Sequence, residues 1–418
     1  MRLLMPKISK ILLLTASVVL VLTVFLGVNS SGVSAASADQ DGAYRQINVY
    51  SEVLRHIQTD YVEDPSIPAV TNGALRGLLE SLDADSSYLT ADDYKIYKTD
   101  KGGKAQVGIN ASKRFGYATV VSVVPGSPAD KAELHDGDII EAIGDRDTRD
   151  ISLAMIHLLL EGQPGSQLTI SVVRPRKATP EKLTMTRTAA GVPPVSETMY
   201  ENSSILYLKP EALDHEHVQE LETKLKGMQK AGNKKILLDL RDVAAGDMSE
   251  AVRAANFFVK SGTIASLEGQ KVAKQTFAAE ASKTINANAP MVVLVNRGTA
   301  GPAELVAAAL LDNKRADVVG EKTFGEGAQQ KTFELPDGAA LILSIAKYES
   351  PSGKKLQDEG VTPTVLVASE MDDAAGVDEE GAPTSTETPK AAAAAPKTSL
   401  SIDEQLSKGL ELLKAKVA

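Results

Sequence analysis

Between Ser203 and Val367, short apolar runs alternate with helical stretches, and this alternation restricts the possible folds more than any other feature of the chain. "SILYLKP", "KKILLDLR" and "APMVVLVN" are continuously apolar, as strands covered on both faces must be; a half-solvated strand would alternate in polarity. "HEHVQELETKLKGMQKAG" and "MSEAVRAANFFVKSG" have helical spacing and end at Gly. Strands alternating with helices predict an α/β core with a largely parallel sheet.

The preceding texture differs. From Ala43 to Tyr97, "INVYSEVLRHIQTDYV" and "VTNGALRGLLESL" space apolar residues by three and four, which predicts a small helical cap. From Lys104 to Thr188 short strands and turns take over: a Pro-Gly turn, an Asp-Gly-Asp turn, a helix over Ser152 to Leu160, then a Gly-Gln-Pro-Gly turn and a last strand. At 418 residues, two or three folded units are expected.

The first 38 residues read as a targeting segment. Arg2, Lys7 and Lys10 precede an apolar run from Ile11 to Val28, and "VSAASA" offers small-residue cleavage sites. Export to the periplasm or another extracytoplasmic space follows, with a cleaved signal peptide as the first reading and an uncleaved N-terminal membrane anchor as the second. The chain has no Cys, so it has neither disulfides nor a thiol nucleophile. Its net charge of -10 disfavours nucleic acid or anionic lipid as the main partner. The five His are scattered without a His-Glu-x-x-His pattern, "DHEH" at Asp214 to His217 reads as a solvated helix start, and neither metal nor cofactor is implied. Residues 368–399 are low in complexity and read as a disordered linker. The final "SIDEQLSKGLELLKAKVA" restores an amphipathic helix with Ile402, Leu406, Leu410 and Leu413 on one side, suited to docking back on the core.

"PGSPADKAEL" and "DGDIIEAIGD" carry a resemblance to a PDZ domain over the whole segment 104–188. Such domains take an extended peptide as an added strand and hold its terminal carboxylate in a nest of backbone N–H groups. The resemblance assigns that nest to Val107, Gly108, Ile109 and Asn110, opposite the helix starting at Ser152. Glu133 stands where these domains usually have Gly.

With "SLDADSSYL", "DLRDVAAGD", "VNRGTAGPAEL", "GEKTFGEG" and "YESPSGKKLQDEGVTPTV" added, the chain resembles the C-terminal processing peptidases, or tail-specific proteases, from about residue 44 to 367. The implied fold is a protease-type α/β core with an inserted PDZ domain and a helical cap. The implied organisation is 1–38 signal peptide or anchor, 44–100 helical cap, 104–190 PDZ domain, 195–367 peptidase-like core, 368–399 linker and 400–418 amphipathic helix.

Those peptidases cut peptide bonds with a Ser nucleophile and a Lys base. On that frame Gly301 stands at the nucleophile's place and has no side chain. Pro302 follows, where a backbone N–H ordinarily serves the oxyanion hole, and proline has none. Ala245 replaces a glycine of the turn expected to supply the second donor, where its β-carbon opposes a positive φ. Glu326 replaces the base Lys with an acid, and Gln330 still matches an accessory Gln. Losing one such group typically lowers turnover by about 10²-fold to 10⁶-fold, so four changes together predict a pseudoprotease that binds unstructured C-termini without cutting them. An active paralogous protease is a further candidate partner. The competing readings are a serine-type endopeptidase with displaced apparatus, using Thr299 and Lys322, and a hydrolase in which Glu326 polarises water.

Overall fold

The computed structural model describes residues 34–99, 105–114, 116–174, 177–189, 191–228, 230–368 and 403–416. The targeting segment lies outside them up to residue 33, as does the linker from 369 to 402. No helix among the described residues is long and apolar enough to cross a membrane.

Two compact units divide at residue 74. In the first, a helix runs from Ser34 to Asp60, its exposed face laced by Glu52, Arg55, His56 and Asp60 at three- and four-residue spacing. The start of the helix Ile67–Glu80 closes this unit.

The second unit holds three sheets. In the first, strands Val365–Leu366, Asp317–Gly320, Met291–Val295, Lys235–Asp239, Ile205–Lys209 and Ser196–Tyr200 lie in that spatial order. Its first four pairings are parallel, with Ile236 opposite both Met291 and Leu206, and only the Ser196–Tyr200 edge is antiparallel. All five side chains of Met291–Val295 are buried, which is why this segment reads as an unbroken apolar run. Helices His215–Gly227, Met248–Asn256 and Pro302–Asp312 share a core with one face. On the other face the C-terminal helix Glu404–Ala415 packs Leu413 against Leu237, Val292 and Leu294. It is fixed by Lys235 Nζ, which donates to the carbonyls of Leu413 and Lys416 at 2.7 Å each, and by the Arg241–Asp403 ion pair. Docking of the terminal helix is thereby accounted for; Ile402 lies outside the described residues.

A largely parallel sheet describes only this layer. The second sheet is antiparallel, joining Ser87–Leu89, Ala340–Glu349, Thr263–Glu268 and Gln275–Ala278, with Ala328–Glu334 paired to Ala340–Glu349. The strand Ser87–Leu89 interrupts a stretch read as helical: three buried residues pair with Leu341 and its neighbours, a partner some 250 positions away that local spacing cannot reveal. The third sheet, also antiparallel, orders Ile109–Arg114, Tyr117–Val123, Ile139–Ile143, Gln167–Arg174 and Lys177–Thr186. Ser152 caps its helix, Leu153–Leu160, by accepting from Met155 N. Glu133 takes the left-handed φ of +54° that a glycine would supply, a strained choice for a residue with a β-carbon. His217 is buried, not solvated as the sequence suggested: Asp214 and the Pro193 carbonyl take its two ring nitrogens.

Candidate functional site

The strand Met291–Val295 ends in a tight turn, Asn296 to Gly301, from which the helix Pro302–Asp312 departs. Asn296 and Thr299 shape this turn. The Asn296 carboxamide oxygen accepts from Gly298 N and Asp242 N, and Thr299 Oγ1 accepts from Asn296 N and donates to the Leu240 carbonyl at 2.8 Å. Thr299 is thus fully buried and committed to the backbone, whereas Lys322 is exposed. The Thr299 hydroxyl of the displaced-apparatus reading donates to a backbone carbonyl and not to Lys322.

Gly301 sits at the helix N-cap with φ +54° and ψ −114°, a strained value that favours glycine. Pro302 at the first helical position gives up only an N–H that the helix does not use. A β-carbon added at Gly301 would stand 3.8 Å from the Glu326 carboxyl carbon and 3.8 Å from the Ala244 carbonyl, with nothing closer. The elbow thus leaves room for a side chain, and that side chain would face Glu326.

Ala244 and Ala245 belong to the neighbouring turn, Asp242 to Gly246. Its left-handed residues are Asp242, φ +64°, and Gly246, φ +135°. Ala245 is not among them, so its β-carbon does not oppose the turn as expected; the demand for a glycine falls one position later, where a β-carbon would meet Leu213 backbone at 2.4 Å. The Ala245 carbonyl accepts from Leu213 N at 2.8 Å, pinning the turn to the adjacent loop.

Two carboxyls meet behind the elbow. Glu304 is wholly buried and accepts from Gly301 N at 3.0 Å, Gly325 N at 2.8 Å, Glu326 N at 2.7 Å and Thr323 Oγ1. Burial pushes its pKa up to about 7 against the pull of those donors. Glu326 follows in the same loop, and its carboxyl accepts no hydrogen bond from the described residues. Burial, then the charges of Asp85 and Glu304, push it up to about 8. Asp85 is raised by burial and Asp83, while Gln357 Nε2 donates to its carboxylate at 2.9 Å.

Glu326 and Asp85 line a cavity of about 390 Å³ between the helix Leu153–Leu160 and the Glu326 loop. Asp85, His157, Glu161, Glu326 and Gln330 supply its polar lining; Leu153, Leu158 and Ile342 supply apolar wall. Gln330 Nε2 donates to the Asp85 carbonyl at 2.7 Å, so the accessory Gln does share a site with Glu326. Sequence reasoning missed Asp85, His157 and Glu304. Glu304 alone had a local signal, since a Glu two positions past Pro302 fits a capping box.

Of the positions that the resemblance assigns to peptide binding, Ile109 and Asn110 lie in the edge strand Ile109–Arg114 of the third sheet, Val107 and Gly108 just before it, and Ser152 outside it. Gly108 has φ +85°, and a β-carbon there would overlap Ser127 at 2.3 Å. Val107 and Gly108 use their carbonyls, which accept from Ala129 N and Val124 N, while among the described residues their own N–H groups donate to no backbone carbonyl. Ile109 is buried and Asn110 Nδ2 donates to Ser122 Oγ. Ser152 is spent on capping. His157 Nε2 lies 2.7 Å from the Ala111 carbonyl, bridging the helix to the edge strand.

The strand-to-helix elbow of the α/β sheet thus stands beside Glu326, in one unit with a six-stranded antiparallel sheet. The Peptidase family S41 profile matches residues 204–367 and the PDZ domain profile residues 119–174. A carboxyl-terminal-processing protease of Picosynechococcus is 32% identical over 303 residues, covering 71% of this chain and 72% of that protein. The carboxy-terminal processing protease CtpA of Bacillus subtilis is 29% identical over 363 residues, 86% of this chain and 76% of CtpA. The photosystem II D1 C-terminal processing protease shares the fold, with a TM-score of 0.62 at 24% identity over 77% of this chain and 92% of its own. The chain belongs to the C-terminal processing protease family of S41 peptidases and carries a PDZ domain.

Proposed function

We propose that this chain is an exported pseudoprotease, which binds unstructured protein C-termini through its PDZ segment, 104–190, and does not hydrolyse them in its core, 195–367. One observation carries the reading: a side chain at the elbow residue Gly301 would face the carboxyl of Glu326, and Gly301 has none. A peptidase of this kind needs a hydroxyl there and a neutral amine to take its proton. Glu326 is pushed towards its protonated form, in which it is no base at all near neutral pH. Pro302 supports the same reading by removing an oxyanion donor.

Incubating the purified protein with an unstructured protein bearing an apolar C-terminus tests the claim, with Gly301→Ser plus Glu326→Lys as comparison. No cleavage by the native chain is expected. Turnover that Thr299→Val or Lys322→Met abolishes would establish a rearranged site instead. For binding, the nest Val107 to Asn110 answers a free carboxylate, so amidating one peptide should weaken it by about 1.5–3 kcal/mol in isothermal titration. Equal affinities would reduce the PDZ segment to a packing element. Export is tested by fractionation: recovery of unprocessed, soluble chain from the cytosol would remove it.

A further inference from the structure

The cavity beside Glu326 has a composition that the proposed function does not use. Its acidic lining is Glu326, Asp85 and Glu161, and Leu153, Leu158 and Ile342 contribute apolar wall. Among the described residues no Lys or Arg lines it, and His157, its basic side chain, has Nε2 engaged with the Ala111 carbonyl. Glu304 is satisfied by four donors, and Asp85 has Gln357. Glu326 is half-buried, lines the cavity and accepts no hydrogen bond from the described residues. Across a small space the hydrogen of Gly301 leaves its carboxyl unobstructed.

An apolar stem ending in a cation matches that lining. We propose that this cavity is a subsite for one long cationic side chain, the Lys or Arg of a bound polypeptide, whose methylenes lie along Leu153, Leu158 and Ile342 and whose charged head bonds Glu326 and Asp85. The assignment rests on the non-hydrolytic peptide-binding reading for the source of the ligand, but the pocket's chemistry stands by itself. Buried carboxyls without a counter-ion stay protonated, and an arriving cation reverses the balance. Glu326, raised to about 8, would then ionise, so binding releases a proton and tightens as pH rises towards that value. Asp85 and Glu304 beside it, and His157, Glu161 and Tyr97 around the cavity, also face this group, so a pH profile needs the Glu326→Gln variant to isolate it.

The experiment titrates the full chain with Nα-acetyl-lysine amide and with Nα-acetyl-norleucine amide, which share the stem but not the charge. Lysine amide is expected to bind about tenfold to a hundredfold more tightly at pH 7.5, the scale of a charged hydrogen bond, with proton release seen as a dependence of the heat on buffer ionisation. Glu326→Gln should abolish both the preference and the release. Glu326→Lys, which places an ammonium in the pocket, should abolish lysine-amide binding. Equal affinity for the two amides, no binding of either, or a preference that persists in Glu326→Gln would overturn the subsite. A parallel titration compares a C-terminal peptide carrying Lys with its norleucine counterpart. Equal peptide binding beside indifferent amides sinks the subsite and leaves the peptide reading standing; a lysine-selective pocket in a chain that binds no peptide does the reverse.

Discussion

Glu304 accepts a hydrogen bond from the backbone of Glu326, yet the chain treats these two carboxyls oppositely. Glu304 gathers three backbone N–H groups and a hydroxyl from two loops, so its carboxyl is the knot tying the elbow at Gly301 to the segment Thr323–Glu326. Glu326 points into the cavity and receives no such help. The contrast separates a carboxyl that the fold requires from one that the fold merely tolerates.

Removing the knot should have the largest effect. Glu304→Ala leaves three buried N–H groups unmatched and should destabilise the protein by about 3–5 kcal/mol in urea unfolding; a loss below about 1 kcal/mol would erase the contrast. Glu326→Gln should act in the other direction. Its raised pKa means the native state keeps a proton that the unfolded chain, at the ordinary value of 4.5, has lost. The native chain therefore loses stability as pH climbs from about 4.5 to about 8, and the loss is complete above that range. Glutamine does not titrate, so the variant should lack this slope and be more stable at pH 8 by roughly 2–4 kcal/mol, discounted for water reaching the carboxyl through the cavity. A variant unfolding profile parallel to the native one across that window would show Glu326 to be ordinary. Gly301→Ser should lose about 1–3 kcal/mol through its strained backbone and, by itself, gain no proteolysis, because the new hydroxyl finds a carboxyl for a neighbour. The smallest effect belongs to Thr323→Val, which deletes one donor to Glu304 and should lower the unfolding midpoint by about 1–2 kcal/mol of stability.

Much of this architecture is legible in the sequence. The buried strands Lys235–Asp239 and Met291–Val295 declare themselves by unbroken apolar runs, and Ser152 and Asp214 mark helix starts by side chains that cap them. Gly301, Glu326 and Gln330 were found together because they sit in motifs a resemblance could align. The cavity was not legible. Asp85, His157 and Glu326 come from three distant stretches, and no local periodicity encodes their meeting. The antiparallel sheet escaped for a related reason: Ala328–Glu334 is mostly exposed and Ala340–Glu349 shows no clean alternation, so neither gives the two-residue period of a half-buried strand. The left-handed turn at Gly246 was misplaced by one residue onto Ala245, since composition marks where a turn lies more sharply than which residue bends.

One last consequence concerns the helix Glu404–Ala415. Gln405 Nε2 donates to the Val367 carbonyl at 2.9 Å, and Leu413 is buried among Leu237, Val292 and Leu294. The second face of the parallel sheet is therefore sealed by a single short helix. A Leu413→Asp change that unseated it would bare an apolar patch, the kind of surface through which proteins stick to one another.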